Sequence, residues 1–285
     1  MCRFVLYLGP PLTLGNLVTE PSNSLIYQSY QSHERAEPLN GDGFGIAWYV
    51  PELSDEPAVF RSISPAWSNR NLRELARVTR SGCILAHVRA ATQDATVSEA
   101  NCHPFTRGRF AFMHNGDVGG FQRIRRKLLD KLSDEAFGVI EGTTDSEHVF
   151  ALFLDHHRAA SSPDPAERMA AALRATIADV LALVRGAGIT EPSYLNIAVT
   201  DGCCAVVARY TSDPRGRAES LHVTSGRRYT CTGGVCRMVH PPGEHSAAIV
   251  SSEPLSDDPE WETVPVNHLV VIGGDRTVRI APLTV

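Results

Sequence analysis

The sequence has no run of the roughly 18 to 20 consecutive apolar residues that a membrane-spanning helix requires, so a helical membrane protein is excluded. It also lacks an excess of basic charge: 27 Lys and Arg stand against 32 Asp and Glu, for a net charge of -5. That balance argues against a broad nucleic-acid-binding face. Cysteine is sparse and odd in number, with seven residues at 2, 83, 102, 203, 204, 231 and 236. Scattered in this way they form no dense disulfide framework and are expected to be reduced. Cys231 and Cys236, with His222 and His240 nearby in the chain, match no common zinc spacing, and no metal is expected. Neither a phosphate loop nor a dinucleotide fingerprint is present, and nothing in the residues calls for a cofactor. No basic leader with a small-residue cleavage site precedes the first apolar run, which makes the cytosol the expected location. Internal repeats and long Pro-rich or Gly-rich linkers are missing too, so residues 2–285 are expected to form a single domain.

What is present is a mixture of short strands and amphipathic helices. Phe4 to Leu8, Phe44 to Val50, Cys83 to Thr92 and Phe110 to Asn115 are compact apolar or β-forming runs, mostly bounded by Gly, Asp or Ser, and read as strands. Leu195 to Thr200 and Cys203 to Tyr210 flank Asp201-Gly202, a two-residue hairpin signal, and Leu269 to Ile272 and Thr277 to Ile280 flank Gly273-Gly274-Asp275. The longest helix is announced by Asp164 as N-cap, Pro165 at the first helical position, and Met169, Leu173, Ile177, Val180, Leu181 and Val184 on one face. Others are expected from Asn71 to Val78 and from about Asp145. The basic cluster Arg123, Arg125, Arg126 and Lys127 interleaves with Phe121, Ile124 and Leu128 as the wet side of an amphipathic helix.

The chemistry starts at Cys2. Removal of Met1 ahead of a small residue would leave Cys2 with both a thiol and a free α-amine, and an amine of pKa roughly 7.7 to 8.0 can take the thiol proton. Nucleophile and base would then belong to one residue. Four further places carry suitable groups. Arg89 ends a strand in Ala86-His87-Val88-Arg89, where a guanidinium fork suits a carboxylate. His114-Asn115-Gly116 ends another strand, where an amide NH2 and a backbone N–H can hold an oxyanion. Asn101-Cys102-His103-Pro104 lies between them, and Gly142-Thr143-Thr144-Asp145 opens a helix with an acid able to bind an ammonium. Singly, Arg89 also suits a surface ion pair, Asn115-Gly116 an ordinary turn and Asp145 an N-cap. Together they match a γ-glutamyl substrate, which presents an α-carboxylate, an α-ammonium and a γ-carbonyl.

In order and spacing, Cys2, His87-x-Arg89, Asn101-x-His103-Pro104, His114-Asn115-Gly116 and Thr144-Asp145-Ser146-Glu147 resemble the motifs of the class II glutamine amidotransferases, which are N-terminal-nucleophile hydrolases. The resemblance implies an α+β fold, a four-layer αββα sandwich. It implies Cys2, Asn115 and Gly116 as catalytic residues, and Arg89, Thr92, His103 and Asp145 as residues that bind substrate or line its pocket. Met1-Cys2-Arg3-Phe4, Asn40-Gly41-Asp42-Gly43-Phe44-Gly45, Ser64-Pro65-Ala66-Trp67 and Ser252-Glu253-Pro254-Leu255 narrow it further, toward the amidotransferase-like subunit of the cytosolic glutathione-degradation complex. That subfamily implies γ-glutamyl hydrolysis of glutathione alongside a metallopeptidase-like partner subunit. The γ-glutamyl-hercynylcysteine sulfoxide hydrolase of ergothioneine synthesis shares several of these segments. A glutaminase or ammonia-donating subunit, and a non-catalytic scaffold, complete the alternatives. On residue type alone, Asp42 suits a turn, Trp67 a core and Glu253 a charged surface.

Overall fold

The computed structural model describes residues 2–34, 39–90, 97–242 and 246–285. Two antiparallel sheets form its centre. The first contains seven strands in the spatial order β13 (Glu262–Thr263), β9 (His222–Gly226), β12 (Ala247–Ser251), β1 (Arg3–Thr13), β4 (Arg80–Val88), β2 (Phe44–Trp48) and β3 (Ala58–Ser62). The second has six, ordered β15 (Val278–Pro282), β14 (His268–Ile272), β8 (Ala205–Thr211), β7 (Tyr194–Thr200), β6 (Phe110–Asp117) and β5 (Phe105–Arg107). A separate hairpin pairs β10 (Arg228–Thr232) with β11 (Val235–Val239).

The alternation of side chains along β1 explains the layering. Phe4, Leu6 and Leu8 point into a core shared with Ala111 and Met113 of β6, Val207 of β8, Val250 of β12 and Val270 of β14. Val5 and Tyr7 point the other way, into a core with Leu17 of α1 (Gly15–Val18), Leu25 of α2 (Leu25–Tyr30) and Leu72 of α3 (Arg70–Val78). Because both faces of β1 are buried, its sequence reads as a continuous apolar run. On the far side of the second sheet, Phe112 stacks on Phe150 with centroids 5.1 Å apart. That outer core gathers Ile124 and Leu128 of α4 (Phe121–Leu129), Phe150 and Phe153 of α6 (Asp145–Ala159) and the apolar stripe of α7 (Pro165–Gly186). A one-turn helix, α5 (Asp134–Phe137), caps this side. Helices, two sheets and helices make the four-layer αββα sandwich that the motifs imply.

Three expectations need correction. Cys231 and Cys236 are joined by a disulfide: the β10–β11 register sets them opposite each other with Cα atoms 4.1 Å apart, beyond a turn at Gly233 and Gly234. The other five cysteines are in no disulfide. Glu253 is fully buried and paired with Arg3 at 2.9 Å, because its segment follows the central strand β12 into the interior. The connection between β7 and β8 spans four residues rather than two; the Asp201 carboxylate accepts the N–H groups of Cys203 and Cys204, both at 2.9 Å, which closes the wider turn. Trp67 does pack against the core between the first sheet and α1 to α3, as its residue type suggested. Among the described residues no group of three or more His, Cys, Asp or Glu could hold a metal ion, and no helix is long and apolar enough to cross a membrane. His222 instead pairs with Glu34 at 2.9 Å and His240 with Glu260 at 3.0 Å.

Candidate active site

Strand register brings the distant motifs together. In the β1–β4 pair Arg3 faces Val88, so Cys2 and Arg89 are the next residues out at the same end of the sheet. Cys2 is buried, and its thiol reaches the Ala90 carbonyl at 3.7 Å. The two sheets are tied across their interface near this end. His87 Nε2 of β4 donates to the His114 carbonyl of β6 at 3.2 Å, which sets the Arg89 end of one strand against the Asn115-Gly116 end of the other. A proton on Nε2 suits a neutral imidazole, and burial pushes the His87 pKa down to about 3.

His114 fixes the other sheet in turn. Its Nε2 donates to the Tyr194 carbonyl at 3.0 Å, leaving Nδ1 to accept from the Ser146 hydroxyl at 2.9 Å. This links the end of β6 to the first turn of α6. Thr144 is the N-cap of that helix, accepting from Glu147 N with its side chain, and Asp145 occupies the first helical position. The Asp145 carboxylate is clamped by Val118 N at 2.8 Å and Ser146 N at 2.7 Å, so it stands beside the turn that follows Gly116. Gly116 is required where it is. Its φ is +149°, and a Cβ there would lie 1.8 Å from the Tyr194 carbonyl oxygen.

Cys2, Arg89, His103, Gly116 and Asp145 line one cavity of about 630 Å³. Five residues chosen from separate motifs thus face a common space. Asn115 lies directly behind this wall. It is fully buried, and neither its Oδ1 nor its Nδ2 meets a hydrogen-bond partner among the described residues. An amide left this way costs on the order of 1–3 kcal/mol, a cost recovered when a partner arrives. His103 presents a second such case, with both ring nitrogens unpartnered and the ring 4.3 Å from that of His87. Burial, then the neighbouring His87, His114 and Arg89, hold its pKa well below the usual imidazole value, so it is neutral at pH 7. Thr92, the remaining expected residue, lies outside the described residues.

The cavity wall also contains groups that the sequence did not single out. Asp117 is the main one: burial, followed by the Asp145 charge, raises its pKa to about 6. Its position directly after His114-Asn115-Gly116 was the available signal, but an acid after a glycine turn is too common to stand out. Phe121, Gln122 and Arg123 of α4 form another side of the cavity. Chemically, the site offers a thiol, a guanidinium, two carboxylates, an unpaired amide and the neutral His103 imidazole around a pocket of small-molecule size.

Comparison with known proteins agrees with this chemistry. The family profile described as glutamine amidotransferases class-II matches residues 14–214. The probable glutamine amidotransferase DUG3 of Saccharomyces cerevisiae is 40% identical, over 99% of this chain and 84% of that protein. The gamma-glutamyl-hercynylcysteine sulfoxide hydrolase of Mycolicibacterium smegmatis is 30% identical, over 99% of this chain and all of that one. Among solved structures, a glutamine aminotransferase class-II domain protein from Silicibacter pomeroyi superposes over the full length of both chains with a TM-score of 0.68 and 30% identity. The glutamine phosphoribosylpyrophosphate amidotransferase of B. subtilis, at 13% identity and a TM-score of 0.61, shares the fold over 99% of this chain and 49% of its own. The chain belongs to the class II glutamine amidotransferases, enzymes of the amidohydrolase type.

Proposed function

We propose that the protein is a γ-glutamyl hydrolase that cleaves glutathione into glutamate and cysteinylglycine, with Cys2 as N-terminal nucleophile. The observation that carries this reading is the meeting of Cys2, Arg89, Gly116 and Asp145 on one cavity. After removal of Met1, the Cys2 α-amine takes the thiol proton and the thiolate attacks the γ-carbonyl. The Asn115 amide NH2 and the Gly116 N–H receive the developing oxyanion. The protonated amine then gives its proton to the departing amine of cysteinylglycine. Water attacks the γ-glutamyl thioester with the same α-amine as base, releasing glutamate and restoring the thiol. Throughout, Arg89 grips the α-carboxylate, Asp145 with Asp117 faces the α-ammonium, and His103 lines the pocket; Thr92 keeps the substrate-binding assignment that the family resemblance implies. A single domain over residues 2–285, action in the cytosol and a metallopeptidase-like partner subunit belong to the same reading.

A second reading is kept because one relative, matched over its whole length, is named for γ-glutamyl-hercynylcysteine sulfoxide. Both readings use the same γ-glutamyl half-site and differ in the leaving group. The test offers glutathione, glutamine and γ-glutamyl-hercynylcysteine sulfoxide side by side to protein whose mass shows Met1 removed, and follows glutamate. Glutathione should give the highest kcat/KM, and preference for either other substrate would overturn the assignment. Cys2→Ala should fold normally and release no glutamate. Turnover above about 1% of wild type in that variant would remove Cys2 from the mechanism.

A further inference from the structure

The guanidinium next to the nucleophile has a denser set of partners than a surface charge requires. The Arg3 side chain is wholly buried. Its Nη1 donates to the Cys2 carbonyl at 2.9 Å and to the Glu219 carboxylate at 3.3 Å. Nε donates to Glu253 Oε1 at 2.9 Å and to Ser32 Oγ at 3.0 Å, and Nη2 to the Glu34 carbonyl at 3.2 Å. Glu253 is equally enclosed. It accepts from the Ser32 hydroxyl, from His33 N at 3.0 Å and from Glu34 N at 3.2 Å. Burial alone would raise its pKa, but these hydrogen bonds and Arg3 bring it below the ordinary value, so Glu253 is a carboxylate.

The network also reaches the opposite sheet. The Glu219 and Ser220 carbonyls accept from Asn196 Nδ2 at 3.3 and 3.0 Å. Asn196 is the β7 residue directly across from Asn115. Arg3 therefore connects the Cys2 backbone, through the segment at Glu219, to the strand that holds Asn115 in register.

We propose that Arg3 and Glu253 form a positioning pair that fixes the backbone of Cys2 against the Asn115-Gly116 strand, so that thiol and α-amine meet the substrate carbonyl in line. Neither residue touches substrate. Glu253 holds the guanidinium, and the guanidinium holds the Cys2 carbonyl. The proposal rests on Cys2 being the nucleophile.

A buried ion pair that serves only stability can often be replaced by apolar residues without loss of stability, whereas removal of one partner strands the other charge. The double variant Arg3→Met/Glu253→Met therefore separates the two roles. It should stay folded with a Tm near that of wild type, since Glu219, the remaining partner of Arg3, has access to solvent. In it, kcat for glutamate release should fall at least about 10-fold with KM within about threefold, as expected of lost orientation rather than lost binding. Cys2 alkylation by iodoacetamide at pH 7.5, mapped to the N-terminal peptide, should slow at least about fivefold because the Cys2 backbone is no longer fixed in the orientation that sets the thiol against its own α-amine. Wild-type kcat and alkylation rate in a folded double variant would overturn the proposal. If that variant fails to fold, Ser32→Ala removes only the hydroxyl that bridges the pair; a severalfold fall in kcat is expected, and an unchanged kcat would be decisive against the proposal. Alkylation is read without turnover, and Cys2→Ala is assayed in parallel. Activity in Cys2→Ala would thus expose a wrong nucleophile, while the alkylation rate independently reports whether Arg3 and Glu253 order Cys2.

Discussion

At the scale of single residues, the groups most legible in the sequence were those that the fold brings to one cavity: Cys2, Arg89, Gly116 and Asp145. Arg89, next to Cys2 at the end of β4, is assigned by the proposed function to the α-carboxylate, which a guanidinium can grip with two parallel hydrogen bonds. Arg89→Lys should raise KM for glutathione about 10-fold or more while leaving kcat within about threefold, as steady-state kinetics will show. Asp117 and Glu253 were not legible, because what distinguishes each is its surroundings: a carboxyl neighbour from α6 for one and Arg3, 250 residues away, for the other. For Asp117 the consequence can be measured. Its folded-state pKa of about 6 lies above the ordinary 3.8, so the native state binds this proton more tightly than the unfolded chain does. The associated stability is present below about pH 4 and is lost as pH rises through 6. Asp117→Asn should therefore be more stable than wild type at pH 7.5 by about 1–2 kcal/mol, with the advantage gone by pH 4, in paired urea denaturations.

At the scale of elements, strong periodicity carried the information. The α7 stripe and its Asp164 cap are found where the sequence places them, with the Asp164 carboxylate accepting Ala166 N at 2.8 Å. Strand β12 was missed: Ala-Ala-Ile-Val-Ser is only five residues long and does not alternate, although it pairs with β1 inside the first sheet. Short buried strands are recognised by their neighbours, and a single sequence does not display neighbours. The end of β6 is the element on which the site depends most. There the backbone of Gly116 lies against Tyr194, and Asn115 pairs with Asn196. Gly116→Ala should push the β6 and β7 ends apart, lowering stability by about 3 kcal/mol or more and abolishing glutamate release. A thermal melt together with an activity assay checks both, and a variant with wild-type Tm and rate would show that the strands part at little cost.

At the scale of the whole molecule, the motifs that identify the site all lie before residue 150, yet that half cannot build the site by itself. Cys2 is held at the start of β1, and β1 is paired on one side by β12, with Val5 opposite Ser251 and Leu8 opposite Ala248. Ser252 reinforces this pairing by accepting Phe4 N through its hydroxyl at 3.0 Å. Strand β6, which carries Asn115 and Gly116, likewise depends on β7, and the inter-sheet core under Phe4 and Leu6 is completed by Val207, Val250 and Val270. A fragment of residues 1–160 would expose that core on the open faces of both sheets and lose one partner of each central strand, β12 beside β1 and β7 beside β6. Burial at about 25 cal/mol per Å² drives folding, and a fragment that forfeits half of it cannot offset its chain entropy. The fragment should therefore show no cooperative melt and release no glutamate. Mixed with a fragment of residues 161–285, it should regain both, because the break falls in the exposed connection between α6 and α7 and leaves every strand pairing available. Circular dichroism and glutamate release on the separate and mixed fragments decide the point. A cooperative, active first fragment would mean that β7 to β15 merely cover a site that the earlier strands assemble alone.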